Sequence, residues 1–581
     1  MHNKNYIGLA CTGHDNALAI VNSEGKVVFA EATERHLQNK RAVNTPPDDV
    51  FRTRILIEEY CDKDSALVMA KTWSSNHQKI MNGQCAHISQ QITENKNSNQ
   101  LWSSLFPVYH HLCSVFVPSN VERAGQALNF YCQNSKRDLS VRYFDHHLTH
   151  AATGCYTSPY HEAVCASIDG FGEGTSVSFY AYRDGAIHKV DHAAHPPGGM
   201  ESLGFFYGLI ICGLCGFNAW EGEEWKVMGL APYGKFNKEM YAAMQRYIQV
   251  DGFRLIHPAT AEEACQELLA YARKPGSSPL TVADLAFTGQ QYFADIMTQL
   301  LDQLYALGIS DNLVLGGGCA LNSSYNGMIL ERTKFKSVHV YSAPADDGNA
   351  VGAALLAYYE DHPEQRPIPA VHTPYLGSEI SSETLTHLQQ LGGIKGLVRL
   401  EREELYQRTA AIIAAGKICG WVQGRAEYGP RSLGNRSILA DPRRADMKDK
   451  INGRVKFREE FRPFAPSILH EFGDEYFIDY QETPYMERTL LFRDEVKEKV
   501  PAVVHANSSG RLQTVKKEWN EPYYRLISEF HRITGIPILL NTSLNVMGKP
   551  IIHSVEDAIA LFFTTGLDAM VIEDYLILKD D

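Results

Sequence analysis

Residues 163–190 read AVCASIDGFGEGTSVSFYAYRDGAIHKV, and their order decides the fold of the first half of the chain. The apolar, β-prone run 163–168 ends in an acid and glycine turn, Asp169-Gly170-Phe171-Gly172-Glu173-Gly174. A second strand follows over 175–182, and Arg183-Asp184-Gly185 then makes a hairpin turn into a third strand over 186–190. The N-terminus has the same plan: a strand over 6–11, the turn Thr12 to Asn16, a strand over 17–21, the turn Ser23-Glu24-Gly25 and a strand over 27–30. Single hairpins are common. Two such units, each followed by helical sequence, predict a duplicated α/β fold with ligand bound between the halves.

Further strands are expected at 313–315, entering Gly316-Gly317-Gly318 and a helical pattern from Ala320, and at 338–341, before a helix through Tyr359. The stretch 362–374 holds four prolines and reads as a linker. Beyond it helices and strands alternate, which predicts a second α/β domain. At 581 residues the chain is too long for one ordinary domain. Its twelve cysteines show no framework spacing and no secretory signal precedes them, which suggests reduced thiols in the cytoplasm. The apolar run 203–217 is interrupted by glycines and falls short of the ~20 residues a membrane span needs, so it is expected to be a buried helix. No membrane partner is expected.

Against a formal charge of −13, residues 424–462 carry eleven Lys or Arg and six Asp or Glu. The net acidity argues against a general nucleic-acid binder. The arginines of that stretch sit beside Gly, Pro, Ser and Asn, where planar guanidinium forks suit phosphate or carboxylate. Lys456 to Phe464 interleaves basic and aromatic residues; as a strand it would point Lys456, Arg458, Glu460 and Arg462 to one face and Phe457 and Phe461 to the other.

Two constellations in the first half carry metal and proton chemistry. If Asp145 caps a helix, His146 and His150 lie four apart on one face, and Asp169 and Asp346, each on a turn after a strand, can complete a mixed nitrogen and oxygen site. Such a set suits iron, manganese or magnesium better than structural zinc. His14 and Asp15 lie in the first inter-strand turn, where the His can serve as a general base on a hydroxyl or simply satisfy its own turn.

The motifs GHDNA, HHLTHAA, IDGFGEGTS, EEWKVMGLAPYG, LGGGCALN, GPRSLGNRSILADPR, KFREEFRPFAPSIL and NTSLNVMGKPI follow one another in this order. In that order they resemble the NodU/CmcH family of O-carbamoyltransferases, over nearly the whole chain. The resemblance implies a duplicated actin-like (sugar-kinase-like) domain over residues 1–365 and a YrdC-like α/β domain over 366–581. It implies that carbamoyl adenylate is made from carbamoyl phosphate and ATP in the second domain, on Arg431, Arg436, Lys456, Arg458, Arg462, Asn541, Ser543 and Asn545.

Transfer to a hydroxyl of a small-molecule natural product would follow in the first domain, with His14 and Asp15 catalytic. A divalent metal, Fe2+ by the resemblance, would sit on His146, His150, Asp169 and Asp346, with Mg2+ accompanying ATP. Lys40, Gly170, Gly317, Gly318 and Asn322 would hold the adenylate there. The sequence departs from the family pattern after Glu34-Arg35, where it reads His36-Leu37-Gln38-Asn39-Lys40. The segment 62–139 is long for the family and is expected to shape acceptor entry. The alternative reading is a tRNA threonylcarbamoyl-type modifying enzyme. A homodimer is left open.

Overall fold

The computed structural model describes residues 3–94, 100–190, 201–394 and 396–579. The chain divides into two compact units. The first comprises residues up to Thr33, Arg41–Asn322 and Met328–His372; the second comprises Glu34–Lys40, Ser323–Gly327 and Thr373 onward.

In the first unit the strands are β1 (Lys4–Ala10), β2 (Ala17–Val21), β3 (Val27–Ala32), β4 (Ala66–Lys71), β5 (Leu139–Tyr143), β6 (Glu162–Ile168), β7 (Val177–Arg183), β8 (Ala186–Lys189), β9 (Gln249–Asp251), β10 (Arg254–Ile256), β11 (Asn312–Gly316) and β12 (Ser337–His339). One sheet runs β3-β2-β1-β4-β5 and another β8-β7-β6-β11-β12. In both, the first strand pairs antiparallel with the second and parallel with the fourth, and the fourth pairs parallel with the fifth. The two hairpin units read from the sequence are therefore the starts of two sheets of one topology. Their first strands, YIGLA and AVCASI, are buried along their length, as strands covered on both faces must be.

The duplication extends to the helices after each fifth strand. His146–Tyr156 follows β5, and Asn349–Asp361 follows β12. Their small residues, Ala151, Ala152 and Gly154 on one and Ala350, Gly352, Ala353 and Ala354 on the other, let the backbones approach closely. A Cβ at Gly352 would strike the Thr149 carbonyl and lie 2.5 Å from Thr153 Oγ1. This close packing brings the start of one helix beside the turn that precedes the other.

In the second unit the strands are β13 (Val398–Arg399), β14 (Cys419–Val422), β15 (Arg436–Ala440), β16 (Ala465–Leu469), β17 (Arg488–Leu491), β18 (Ser509–Val515), β19 (Ile538–Ser543), β20 (Ala569–Ile572) and β21 (Tyr575–Leu578). They form one mixed sheet, β13-β21-β20-β14-β15-β19-β16-β18-β17. Helix Glu521–Thr534 shows how its sequence dictates its place. Asn520 caps it, Pro522 opens it, and Gly535 ends it in the left-handed region (φ 72°). Tyr523, Leu526, Ile527 and Phe530 recur at helical spacing and are buried in the core with Trp421, Ile438 and Leu539.

The run 203–217 forms the buried helix expected of it, with an α-helical turn, Leu203–Phe205, passing straight into a π-helical stretch, Phe206–Cys212. Two local expectations are corrected. After the glycine triplet only a 3-10 turn, Gly318–Leu321, and a one-turn helix, Ser323–Asn326, form. Residues 456–462 are not a strand; Asn452–Lys456 is a π-helical turn closed by Phe457 at φ 49°. Among the described residues no helix is long and apolar enough to cross a membrane.

Candidate active site

In the first unit, Asp145 caps the 146–156 helix, its carboxylate accepting the amide of Leu148 at 2.9 Å. The helix then carries His146 and His150 on one buried face. Asp169 leaves β6, and Asp346 stands in the turn before helix Asn349–Asp361. One ligand atom from each of these four buried residues lies within 4.8 Å of the others, a cluster that can hold a metal ion.

The individual separations test that fit. Nε2 of His146 is 3.4 Å from Asp169 Oδ2 and 3.5 Å from Asp346 Oδ1, and Nε2 of His150 is 3.3 Å from both oxygens. These spacings are long for hydrogen bonds. Four-coordinate ligands at about 2.1 Å from one ion stand about 3.4 Å apart, so the donor set matches a shared cation. The second oxygen and nitrogen atoms are held elsewhere. Gly318 donates its amide to Asp169 Oδ1 at 2.9 Å, and Nδ1 of His150 lies 3.2 Å from the Pro344 carbonyl, which fixes its proton there and turns Nε2 inward. Trp73 stacks on His146 with centroids 4.6 Å apart.

The charges point the same way. Burial pulls the His146 pKa down, but the Asp346 and Asp169 carboxylates outweigh it and raise it to about 10. Burial pushes the Asp169 carboxyl up, and His146 and His150 together draw it well below its ordinary value. His147 faces away: its Nδ1 lies 3.1 Å from Ser178 Oγ, and burial followed by His146 keeps it neutral.

His14 occupies the β1–β2 turn, the counterpart of the Asp169 turn in the other sheet. Its Nδ1 is 3.1 Å from Asp15 Oδ2 and 3.8 Å from Asp346 Oδ2. Arg41 reaches the same pair, a residue the motifs did not single out. The remaining expected positions divide. Gly317 sits at φ 87° with its amide on the Pro344 carbonyl, and a side chain there would strike the Ile168 carbonyl. Asn322 exchanges two 3.1 Å hydrogen bonds with Gln290. Gly170 follows Asp169 directly and packs on Gly204, where a Cβ would lie 2.6 Å away. Lys40 belongs to the segment Glu34–Lys40 of the second unit, its Nζ 3.7 Å from Glu34 Oε2.

In the second unit the start of the arginine-rich stretch, ahead of β15, folds as a loop gripped by one carboxylate. Glu427 Oε1 accepts the amides of Leu433, Asn435 and Arg436 at 2.8, 2.7 and 3.0 Å. The buried Lys456 ammonium closes on the β19 turn, donating to Ser543 Oγ at 3.0 Å, Asn545 Oδ1 at 2.6 Å and the carbonyls of Ser543 and Asn545. This pull explains the missing strand. Lys456 turns inward, and Phe457 is 52% exposed.

Burial depresses Lys456 well below its ordinary value, with Arg458 and Arg462 adding to it. Burial and Arg511 do the same to Arg431, and burial, Arg462 and Arg511 to Arg458. Arginine keeps its proton in proteins, so these shifts reflect first the burial of the cations and then their mutual repulsion, both of which a bound anion would relieve. Arg511, on β18, was missed from the sequence because a lone arginine in a strand has no motif. Its Nε is buried with no hydrogen-bond partner, and burial lowers it to about 10.

Two expected members of this set take other tasks. Arg436 is fully buried and donates to the carbonyls of Gln423 (2.8 Å), Asn435 (2.9 Å), Gly424 (2.9 Å) and Ser378 (3.1 Å), so it braces loops instead of facing the cation cluster. Asn541, also fully buried, donates to Ser432 O, Ser467 Oγ and Gln513 Oε1 at 3.2, 3.1 and 3.0 Å.

Comparison with known proteins gives the family. Family models described as carbamoyltransferase N-terminus and carbamoyltransferase C-terminus match residues 5–355 and 410–579. The chain belongs to the carbamoyltransferase family and is an enzyme of that class. Nodulation protein NolNO of Sinorhizobium fredii is 36% identical over 450 residues, spanning 76% of this chain but 64% of its own length. Nodulation protein NolO of Bradyrhizobium diazoefficiens is 35% identical over 446 residues, 75% of this chain and 79% of that protein. The 3'-hydroxymethylcephem-O-carbamoyltransferase of Amycolatopsis lactamdurans is 31% identical over 359 residues, 60% of this chain and 64% of that protein.

Proposed function

We propose that the protein is an ATP-dependent O-carbamoyltransferase that carbamoylates a hydroxyl of a small-molecule natural product. The observation that carries this reading is the 3.8 Å approach of His14, a candidate base, to Asp346, a member of the metal-type quartet. A base beside a cation site suits hydroxyl attack on an acyl group activated as a phosphate anhydride.

In this reading the second module, YrdC-like over 366–581, converts carbamoyl phosphate and water to carbamate and phosphate. It then joins carbamate to ATP, giving carbamoyl adenylate and pyrophosphate. Arg431, Lys456, Arg458, Arg462 and Arg511 offset the charge that builds up on phosphate oxygens, while Ser543 and Asn545 orient the lysine. The first module, actin-like over 1–365, carries transfer: His14 takes the proton of the acceptor hydroxyl, the oxygen bonds to the carbamoyl carbon, and AMP leaves.

His146, His150, Asp169 and Asp346 would hold a divalent ion, iron(II) by the family resemblance, which when bound supplies a Lewis acid for phosphate oxygens. Asp15 keeps the imidazole oriented, and Gly317, Gly318 and Asn322 line the same loop. The nodulation and cephem relatives favour a small hydroxyl acceptor over tRNA.

The test is pyrophosphate release measured with ATP and carbamoyl phosphate together and singly. Release that needs both supports the reading; release from ATP alone, or with threonine and bicarbonate in place of carbamoyl phosphate, sinks it.

A further inference from the structure

Arg41 has no place in the mechanism so far, yet its guanidinium ends in the middle of the His14–Asp15 pair. Nε and Nη2 approach Asp15 Oδ2 at 3.0 and 2.7 Å, Nη1 donates to the Ala219 carbonyl at 3.0 Å, and Nη2 is also 3.0 Å from His14 Nδ1. The backbone that delivers it is unusual. Arg41, Ala42 and Asn44 have φ of 60°, 42° and 59°, and Asp15 opposite them has φ 51°. Non-glycine residues in the left-handed region persist where surrounding contacts force them, and such clusters mark functional sites.

Those contacts are visible. Asp15 N donates to Arg41 O at 3.0 Å, Asn44 N donates to Gly13 O at 2.6 Å, and Asn16 Nδ2 donates to the Thr45 carbonyl. The 41–45 loop is thus bonded residue by residue to the turn that carries His14.

Two neighbours compete for His14 Nδ1. Asp15 Oδ2, an acceptor at 3.1 Å, calls for a proton on Nδ1; Arg41 Nη2, a donor at 3.0 Å, calls for a lone pair. Only the first arrangement leaves Nε2 without a proton and able to take one from a hydroxyl. The shortest contact of the guanidinium is to Asp15, so its donors hold the carboxylate against Nδ1.

We propose that Arg41 is a positioning residue for the transfer base, fixing Asp15 so that His14 carries its proton on Nδ1 and presents a bare Nε2. This rests on the reading of His14 as the base, and on no contact between Arg41 and substrate. The experiment uses the full chain loaded with zinc for spectroscopy and iron(II) for turnover, comparing wild type, R41K and R41A.

In 15N spectra of ring-labelled histidine, with the His14 signals assigned by loss in H14Q, wild type shows a protonated Nδ1. R41A should revert to the Nε2-protonated form. With methanol as the probe acceptor, R41A should release pyrophosphate normally while methyl carbamate formation falls about 100-fold in kcat, with KM for methanol little changed. Methylguanidinium should restore part of that rate, and R41K, which retains the charge, should fall between.

A wild-type tautomer together with a wild-type transfer rate in R41A overturns the proposal, as does a loss confined to KM that methylguanidinium leaves unrepaired. If wild type itself makes no methyl carbamate and releases no pyrophosphate, the carbamoyl-transfer reading fails instead, and the ring spectra alone decide the role of Arg41.

Discussion

The amide of Gly318 donates to Oδ1 of Asp169 at 2.9 Å, which leaves Oδ2 facing both imidazoles of the candidate metal centre. One glycine of the LGGGCALN motif therefore orients a ligand just past the end of a strand, 149 residues earlier in the chain. A Cβ at Gly318 would sit 2.8 Å from that same oxygen. G318A should weaken metal affinity by about 10- to 100-fold with little change in melting temperature, read by competition with a fluorescent chelator. Unchanged affinity would remove the orienting role.

Metal binding should release protons. Burial lowers His146, but Asp346 and Asp169 raise it to about 10, so near neutrality the cation-free centre holds a proton that an ion must displace. The sign follows: affinity rises as pH climbs toward 10 and falls as pH drops. Calorimetric titration in buffers of different ionisation enthalpy should show on the order of one proton released per ion. No buffer dependence would contradict the charge balance described.

Arg511 should matter to adenylate formation although no motif contains it. R511A should cut pyrophosphate release by about 100-fold, the usual cost of one lost donor at a developing charge, while the fold stays intact. A wild-type rate would place Arg511 outside the anion pocket.

Arg436 should behave in the opposite way. Its guanidinium serves four backbone carbonyls, so R436M should destabilise the protein by about 3 kcal/mol in denaturant unfolding by leaving buried acceptors unpaired. If R436M instead unfolds like wild type and loses only pyrophosphate release, Arg436 belongs with the catalytic cations.

What could be read in advance had local causes. The repeated strand, turn and hairpin units were visible because strand period and turn residues act over a few positions, and both became sheets of one topology. His146 and His150 were visible through helical spacing and the Asp145 cap. Arg41 was not, since a loop in the left-handed region carries it to His14, and no local pattern encodes that path. The alternation from Lys456 to Arg462 mimicked a strand, but the lysine's hold on the oxygens of the Ser543–Asn545 turn, set by distant sequence, decided the backbone. Arg436 lay in the motif with the others, and its burial among carbonyls has no signature in residue type.

The most direct test separates making the activated carbamoyl group from using it. H14A, loaded with iron(II), is mixed with ATP and carbamoyl phosphate, and quenched samples are analysed by mass spectrometry for carbamoyl adenylate, pyrophosphate and carbamoylated acceptor. The expected result is pyrophosphate and adenylate at the wild-type rate with no carbamoylated acceptor. Loss of pyrophosphate release, with transfer from supplied adenylate surviving, would contradict the account.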